Sequence, residues 1–341
     1  ERTSGALPVG SSASASSERT NAGDALTHLP SDCPVVGRVS IRQILNARQL
    51  ATHRAEIESA LSGKTASHGS ILSAMAAKAG INPAQDFDVA AFCLRNLDAE
   101  SPEPHSGSSS NQNHGAKKAP FVMSISGRMG SRSLIDVMAE SAPKGTFVDR
   151  SVAGVRALEA GGKLFAQASD KVLLIASNVD ALAAAVPSTD SYKKYQLPLD
   201  GAIALSATDA ALRTLTIGRQ DPITHPLAVE AAKASHLDLE IRLDSSTATV
   251  HLVMPSNEEA TTSATRIERM LSPFKSTAQA SPLKDHMPPE ILETLRESRI
   301  LAQDNSVTGV FPMSDSALGE LLHGFALLSV LSQGKGTPSP N

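Results

Sequence analysis

The chain has 341 residues, of which 41% are hydrophobic and 19% are charged, and its formal net charge is -4. This length suffices for two or three domains with a sizeable core. The negative balance and the lack of long basic runs exclude a general nucleic-acid binder, which needs many Lys and Arg contacts to phosphate. With no Trp and only two Tyr, base stacking is disfavoured as well. No segment reaches the ~20 apolar residues that a membrane helix requires.

The N-terminal residues 1–28 are rich in Ser, Ala and Gly and lack hydrophobic periodicity, which predicts a flexible tether. The chain begins at Glu1 and not at Met, so we expect a cleaved export signal or a lipid anchor upstream. The expected location is therefore extracytoplasmic, in the periplasm or the cell envelope. Residues 333–341 contain almost no apolar side chain and are expected to form a disordered tail.

A first unit is predicted over 29–187. Its strands are expected where apolar residues alternate or run together, at 35–41, 87–94, 121–126, 146–150, 152–158, 163–168 and 172–176. Its helices are expected at 42–61, 70–79, 131–140 and 180–186. A Ser- and Asn-rich loop over 98–118 joins the second and third of these strands as an enlarged hairpin.

A second unit is predicted over 188–332. Its strongest β signal is the hairpin 237–254, in which apolar and polar residues alternate, so that one face is expected to be buried. Further strands are expected at 202–206, 299–303 and 307–311, and helices at 209–215, 226–235, 257–271, 288–298 and 314–331.

These elements predict an α+β protein, with mostly antiparallel sheets and helices packed on one face. Both units run in a similar order: a strand, helices, an antiparallel hairpin, one or two helices, further hairpin strands and a closing helix. This shared order raises the hypothesis of two duplicated α+β units, although the residues of the two halves differ.

The two cysteines, Cys33 and Cys93, are predicted to form a disulfide. Cys33 stands at the entry to the first strand, and Cys93 near the exit of the strand 87–94. Two predicted helices separate these strands, so the strands are expected to run antiparallel and to bring both cysteines to the same end of the sheet. If the strands are neighbours, the Cα separation falls within the ~4.4–6.8 Å that a disulfide needs. A pair of cysteines at strand ends also suits an exported protein.

A candidate anion-binding loop follows the strand 121–126. It comprises Gly127, Arg128, Gly130, Ser131 and Arg132. A glycine-containing loop that opens a helix can bind anions through backbone N–H groups and arginine side chains. The same residues also suit an ordinary strand-to-helix turn, with Ser131 or Ser133 as the helix N-cap.

Other motifs point to no catalytic, metal or cofactor site. The segment SGKTAS at 62–67 resembles the end of a phosphate-binding loop, but Glu58 stands where that loop needs glycine. The ten histidines have no zinc-ligand spacing, and His105 with His114 share only the long loop. No Gly-x-Ser-x-Gly nucleophile motif occurs. We therefore expect no enzyme and no cofactor.

Several segments resemble the uncharacterised bacterial envelope proteins of the DUF3352-type family. They are LPSDCPVVGRVSIRQIL at 29–45, GINPAQDFDVAAFCL at 80–94, FVMSISGRM at 121–129 and KVLLIASNVDALAAAV at 171–186. The resemblance spans most of 29–330 as a pattern of elements. It implies a secreted or lipid-anchored protein with repeated α+β units, and it transfers no functional residue.

The leading functional hypothesis is a non-catalytic extracytoplasmic or envelope protein that acts as a scaffold or an assembly subunit with a protein partner. A second hypothesis is a carrier that holds an apolar ligand between the sheet and its Ala-rich helices. A third is a hydrolase whose site has no recognisable motif.

Overall fold

The computed structural model describes residues 24–51, 53–55, 78–95, 120–130, 133–142, 144–195, 197–214, 224–275 and 289–322. Its strands pair into one sheet, and their bounds follow the predicted alternation closely. They are β1 Val35–Ser40, β2 Phe87–Leu94, β3 Phe121–Gly127, β4 Val148–Val152, β5 Val155–Ala160, β6 Lys163–Ser169, β7 Val172–Ala176, β8 Ile203–Thr208, β9 His236–Arg242, β10 Thr247–Val253, β11 Arg299–Gln303 and β12 Ser306–Pro312.

The sheet has twelve strands in the order β11-β12-β10-β9-β8-β1-β2-β3-β7-β6-β5-β4. Every pair of neighbours in it runs antiparallel. The predicted α+β class is therefore confirmed. The strands of 29–187 and those of 188–332 occupy opposite halves of this sheet, and β1 pairs with β8 where the halves meet.

Helices connect or follow these strands in both halves of the sheet. Their bounds are α1 Ile41–Asn46, α2 Pro83–Asp86, α3 Leu134–Ser141, α4 Val179–Ala185, α5 Asp209–Thr214, α6 Thr224–Ala231, α7 Asn257–Lys275, α8 Pro289–Glu297 and α9 over 315–322. Of the two candidate N-caps of α3, Ser133 accepts a hydrogen bond from the Asp136 N–H. The other candidate lies outside the described residues.

The placement of the helices on one face needs correction, because in the first half they cover both faces. On one face of β7, Val172, Leu174 and Ala176 pack with Ala181 and Leu182 of α4. On the opposite face, Leu173 and Ile175 pack with Leu134, Ile135 and Met138 of α3. Because both faces of β7 are buried, neither face carries polar side chains, which explains the continuous apolar run of this strand.

Part of the segment 1–28, for which the sequence predicts a tether, packs into the core. Residues 24–26 form a helical turn, and Ala25 and Leu26 are fully buried in the cluster that also contains Cys33 and Cys93. Leu26 and Leu29 are three residues apart and face the same core, so their apolar surface offsets the entropy of ordering this segment. Residues 1–23 and the tail over 333–341 lie outside the described residues.

The two halves share a strand order. The first half reads β1-β2-β3-β7-β6 outward from the centre, and the second half reads β8-β9-β10-β12-β11. The hairpin of β4 and β5 lengthens the first half alone. Duplication stays a hypothesis, because only the order of the strands matches while the residues of the two halves differ.

The hairpin of β9 and β10 buries its predicted apolar face in part, since Ile241 and Leu252 are buried while the other residues of both strands are partly exposed. Leu237 lies opposite Leu252, and Leu239 lies opposite Val250. Ile241 is 3% exposed and belongs to a core cluster with α1 and α9.

Replacing Ile241 with Ala is expected to lower the free energy of unfolding by roughly 2–5 kcal/mol, because the deletion leaves a cavity in a filled core. The matched control is Val148→Ala on β4, where the side chain is 49% exposed, with an expected loss within about 0.5 kcal/mol. Urea unfolding monitored by circular dichroism measures both. Equal losses in the two variants would contradict the assigned buried face.

Candidate functional site

The predicted disulfide is present. Cys33 and Cys93 are bonded with a Cα–Cα distance of 5.5 Å, and both residues are buried. They meet because β1 and β2 are antiparallel neighbours, with Val36 directly opposite Cys93. The bond fastens the segment before β1 to the end of the neighbouring strand.

The hydroxyl of Tyr195 also holds this segment in place, through two hydrogen bonds. It accepts a hydrogen bond from the Cys33 N–H at 3.0 Å and donates one to the Ser31 carbonyl oxygen at 3.0 Å. His28 Nδ1 lies 3.1 Å from the carbonyl oxygen of Ala185 on α4. The N-terminal segment is thereby tied to β2 by a covalent bond, and to Tyr195 and α4 by polar contacts.

Removing the disulfide is expected to cost stability. The bond closes a loop with a sequence separation of 60, which corresponds to about 4 kcal/mol in the chain-entropy account. The double variant Cys33→Ala/Cys93→Ala should lose about that free energy of unfolding, and reduced wild-type protein should behave like it. Two reactive thiols in unreduced, denatured wild-type protein would contradict the bond.

A cavity of about 800 Å³ opens beside the disulfide, at the end of the sheet where β2, β7 and β8 finish and β1, β3 and β9 begin. Its lining includes the charged or titratable residues Asp32, Arg95, Asp180, Lys194 and His236. Charges of both signs share the lining with a larger apolar surface, so the cavity suits a ligand that has both polar and apolar groups.

Two of these charged residues are paired with each other. Arg95 donates to Asp32 Oδ2 from Nε at 3.2 Å and from Nη2 at 2.5 Å. Burial alone would raise the pKa of Asp32, but the hydrogen bond and charge of Arg95 hold that pKa below its usual value. Asp32 is therefore ionised at neutral pH. Its ion pair with Arg95 joins the residue before Cys33 to the first residue after β2, close to the disulfide.

Ser206, His236 and Asp238 form a polar cluster that has the composition of a hydrolase triad. Ser206 Oγ lies 3.1 Å from His236 Nε2, and the same Nε2 lies 2.9 Å from Asp238 Oδ1. Ser206 Oγ also donates to the Tyr195 carbonyl oxygen at 3.3 Å. Ser206 is 1% exposed in the interior of β8.

This geometry does not match a catalytic triad. In a triad the histidine contacts the carboxylate through one nitrogen and the serine through the other, which lets it accept the serine proton. Here both contacts use Nε2, and the serine proton points to a backbone oxygen. The arrangement therefore lacks the separate contacts to carboxylate and serine that define a triad.

The pKa of His236 is raised, first by the hydrogen bond to Asp238 and then by the charge of that residue, while partial burial opposes the rise. Because the folded-state pKa exceeds the unfolded one, this pair contributes stability that is fully present below pH ~6.5 and is lost as the pH rises through the folded pKa.

Replacing Asp238 with Asn is expected to lower the pKa of His236 and to remove that pH-dependent part of the stability, because the amide keeps the shape but loses the charge. An NMR titration of the imidazole measures the shift. Asp244→Asn, which lies in the β9–β10 turn, is the control and should leave the midpoint unchanged. The same midpoint in wild type and Asp238→Asn would contradict the assigned partner.

The candidate anion-binding loop lies at the opposite end of β3 from the cavity. Arg128 donates from Nε to Asp86 Oδ1 at 2.8 Å, and its backbone N–H donates to the Asp86 carbonyl oxygen at 2.8 Å. Gly127 allows this approach, since a Cβ there would lie 2.1 Å from that carbonyl oxygen. A Cβ at Gly130 would lie 3.2 Å from the Ala79 carbonyl oxygen.

In the described part of this loop, Arg128 thus binds an internal carboxylate. Asp86 Oδ2 also accepts the Asn82 N–H at 2.8 Å, so both carboxylate oxygens have partners. Ser131 and Arg132 lie outside the described residues. Binding of an external anion stays a prediction.

The outer edges of the sheet differ in their side chains. At the β4 edge, Arg150 pairs with Glu159 at 2.9 Å, and Asp149 pairs with Arg156 at 2.6 Å. At the β11 edge, the central Leu301 is 58% exposed. No described strand pairs with the outer side of either one. Val148 at the start of β4 is also 49% exposed, but β4 carries two ion pairs whereas β11 has Arg299 alone, so β4 is the better protected edge.

Over the described ranges, no three His, Cys, Asp or Glu side chains cluster in a way that would hold a metal ion. The two histidines of the long loop, His105 and His114, lie outside those ranges. Among the described helices, none is long and apolar enough to cross a membrane.

No protein-family model matches the chain, and no curated protein matches it. Among solved structures, crystal forms I, III and IV of TP0453 each match 88% of this chain at 9% sequence identity. The matches cover 97%, 98% and 96% of those chains, with TM-scores of 0.42, 0.45 and 0.46. The comparisons do not test the resemblance to the DUF3352-type family, which stays a prediction.

Proposed function

We propose that the protein is a non-catalytic extracytoplasmic component, in the periplasm or the cell envelope, that acts as a scaffold or an assembly subunit. Its protein partner joins the sheet at the β11 edge. The observation that carries this proposal is the exposure of Leu301 in the middle of β11, whose outer side pairs with no described strand. An unprotected edge presents a row of backbone donors and acceptors that another strand can pair with.

The extracytoplasmic location is supported by the disulfide. Cytosolic thiols are kept reduced, whereas disulfides persist in exported proteins. Cys33 and Cys93 are buried among Ala25, Leu26 and Leu29, so the bond is part of the core.

The non-catalytic role is supported by the cluster of Ser206, His236 and Asp238. It combines the residue types of a hydrolase, but His236 uses one nitrogen for both partners. The hydrolase hypothesis thus gains no support from the cluster that matches it best in composition.

A ligand carrier is the second candidate, and the cavity beside the disulfide supports it. The carrier hypothesis drawn from the sequence places an apolar ligand between the sheet and Ala-rich helices. There, Ala181 and Ala185 of α4 are fully buried against the sheet, which is how small side chains allow close packing. The lining of the cavity combines charged and apolar groups, and it favours a ligand that has both.

A photo-reactive amino acid placed at position 301 tests the proposed function in the cells that make the protein. We expect one discrete cross-linked adduct, because the side chain at 301 would lie against the partner strand. The matched control is position 148 on the β4 edge, which is also exposed and where we expect no discrete adduct. Absence of any adduct at 301, or the same adducts at both positions, would contradict assembly through β11.

A further inference from the structure

We infer that the strand joining the β11 edge is β11 of a second copy of this chain, paired antiparallel with Leu301 on the two-fold axis. The inference rests on the proposed function, since it specifies the partner of the same edge. It joins two sheets into one continuous sheet across a symmetric interface.

The backbone of β11 fixes how such a pair would form. Gln303 and Ser306 lie opposite each other and flank the two-residue turn of Asp304 and Asn305. The turn hydrogen bond joins Gln303 to Ser306, and hydrogen-bonded pairs then alternate along the strand. The N–H and C=O groups of Ile300 and Ala302 therefore point to the open edge.

Antiparallel pairing of two copies satisfies these outward groups. Ile300 of each copy then exchanges hydrogen bonds with Ala302 of the other, for about four bonds in total. Leu301 faces Leu301 of the second copy as a non-hydrogen-bonded pair, where Cα atoms approach to about 4.5 Å. Each leucine then covers the other, so that the side chain that is 58% exposed in the single chain becomes buried in the dimer.

The charges of the strand favour the antiparallel pairing. Arg299 begins β11, and Asp304 follows its last residue. Pairing about Leu301 places Arg299 opposite Gln303 of the second copy and close to its Asp304. The opposite charges thus approach each other at both ends of the interface, whereas a parallel arrangement would bring like charges together.

The β4 edge lacks this charge complementarity, which is therefore particular to β11. Val152 and Val155 flank the Ala153–Gly154 turn, so the outward backbone groups of β4 belong to Asp149 and Ser151. The equivalent pairing of two β4 strands would place Arg150 against Arg150 of the second copy. Like charges directly opposite each other destabilise strand pairing.

A cysteine cross-link tests the register. The variant Leu301→Cys is expected to form a covalent dimer under mild oxidation, because its Cα separation of about 4.5 Å suits a disulfide. The control Arg299→Cys sits on the same face of the same strand, but its two copies would be about 13 Å apart and should not cross-link. Equal cross-linking of the two variants, or none at 301, would overturn the pairing about Leu301.

Sedimentation over a concentration series tests the association itself. We expect a reversible dimer of the wild-type chain and at least a tenfold higher dimer Kd for Leu301→Lys, which places two ammonium groups at the axis. Val148→Lys on the β4 edge is the control and should leave the Kd unchanged. A dimer that is unaffected by Leu301→Lys would overturn the inference.

The two proposals fail in different ways. A wild-type chain that stays monomeric at its highest soluble concentration overturns the self-pairing. If the photo-reactive group at 301 then cross-links to a different protein, assembly through β11 survives with another partner. If it cross-links to nothing, both proposals are overturned.

Discussion

The whole molecule depends on β1, the strand that pairs antiparallel with β2 on one side and with β8 on the other. Gly37 in its centre lets the ring of Phe92 cover the strand, since a Cβ there would lie 2.1 Å from Phe92 Cζ. The next residue, Arg38, is fully buried and donates to the Gly201 carbonyl oxygen at 2.7 Å, which ties β1 to the start of the second half. The halves of the chain therefore share one hydrogen-bonded sheet.

One sheet built outward from its centre has two outer edges and two ends, and these differ in chemistry. The disulfide end is held by Cys33, Cys93 and Tyr195, and His236 at this end contacts Ser206 and Asp238. The β4 edge carries ion pairs, whereas the β11 edge exposes Leu301. An exposed apolar side chain on a strand whose outer side pairs with no described strand favours a partner, and the proposed assembly through β11 rests on this feature.

The parts of the fold that depend on local pattern could be predicted from the sequence. The bounds of β2, the hairpin of β9 with β10 and the bridge between the two cysteines follow from alternation and from antiparallel geometry. The position of each strand in the sheet could not be predicted, because β1 meets β8 and β3 meets β7 across long stretches of chain. For the same reason, neither the open edges nor the approach of Ser206 to His236 could be predicted from the sequence. The pattern His-x-Asp on β9 places its two side chains on one face and is the one local hint of that cluster.

Amide hydrogen exchange at Ile300 and Ala302 tests the central claim most directly, because those N–H groups point to the open edge. If β11 pairs with a second copy, their exchange should slow as the protein concentration rises. The outward amides of Asp149 and Ser151 on β4 should keep the same rate at every concentration. Exchange at Ile300 and Ala302 that is fast and independent of concentration would contradict assembly of two copies through this strand.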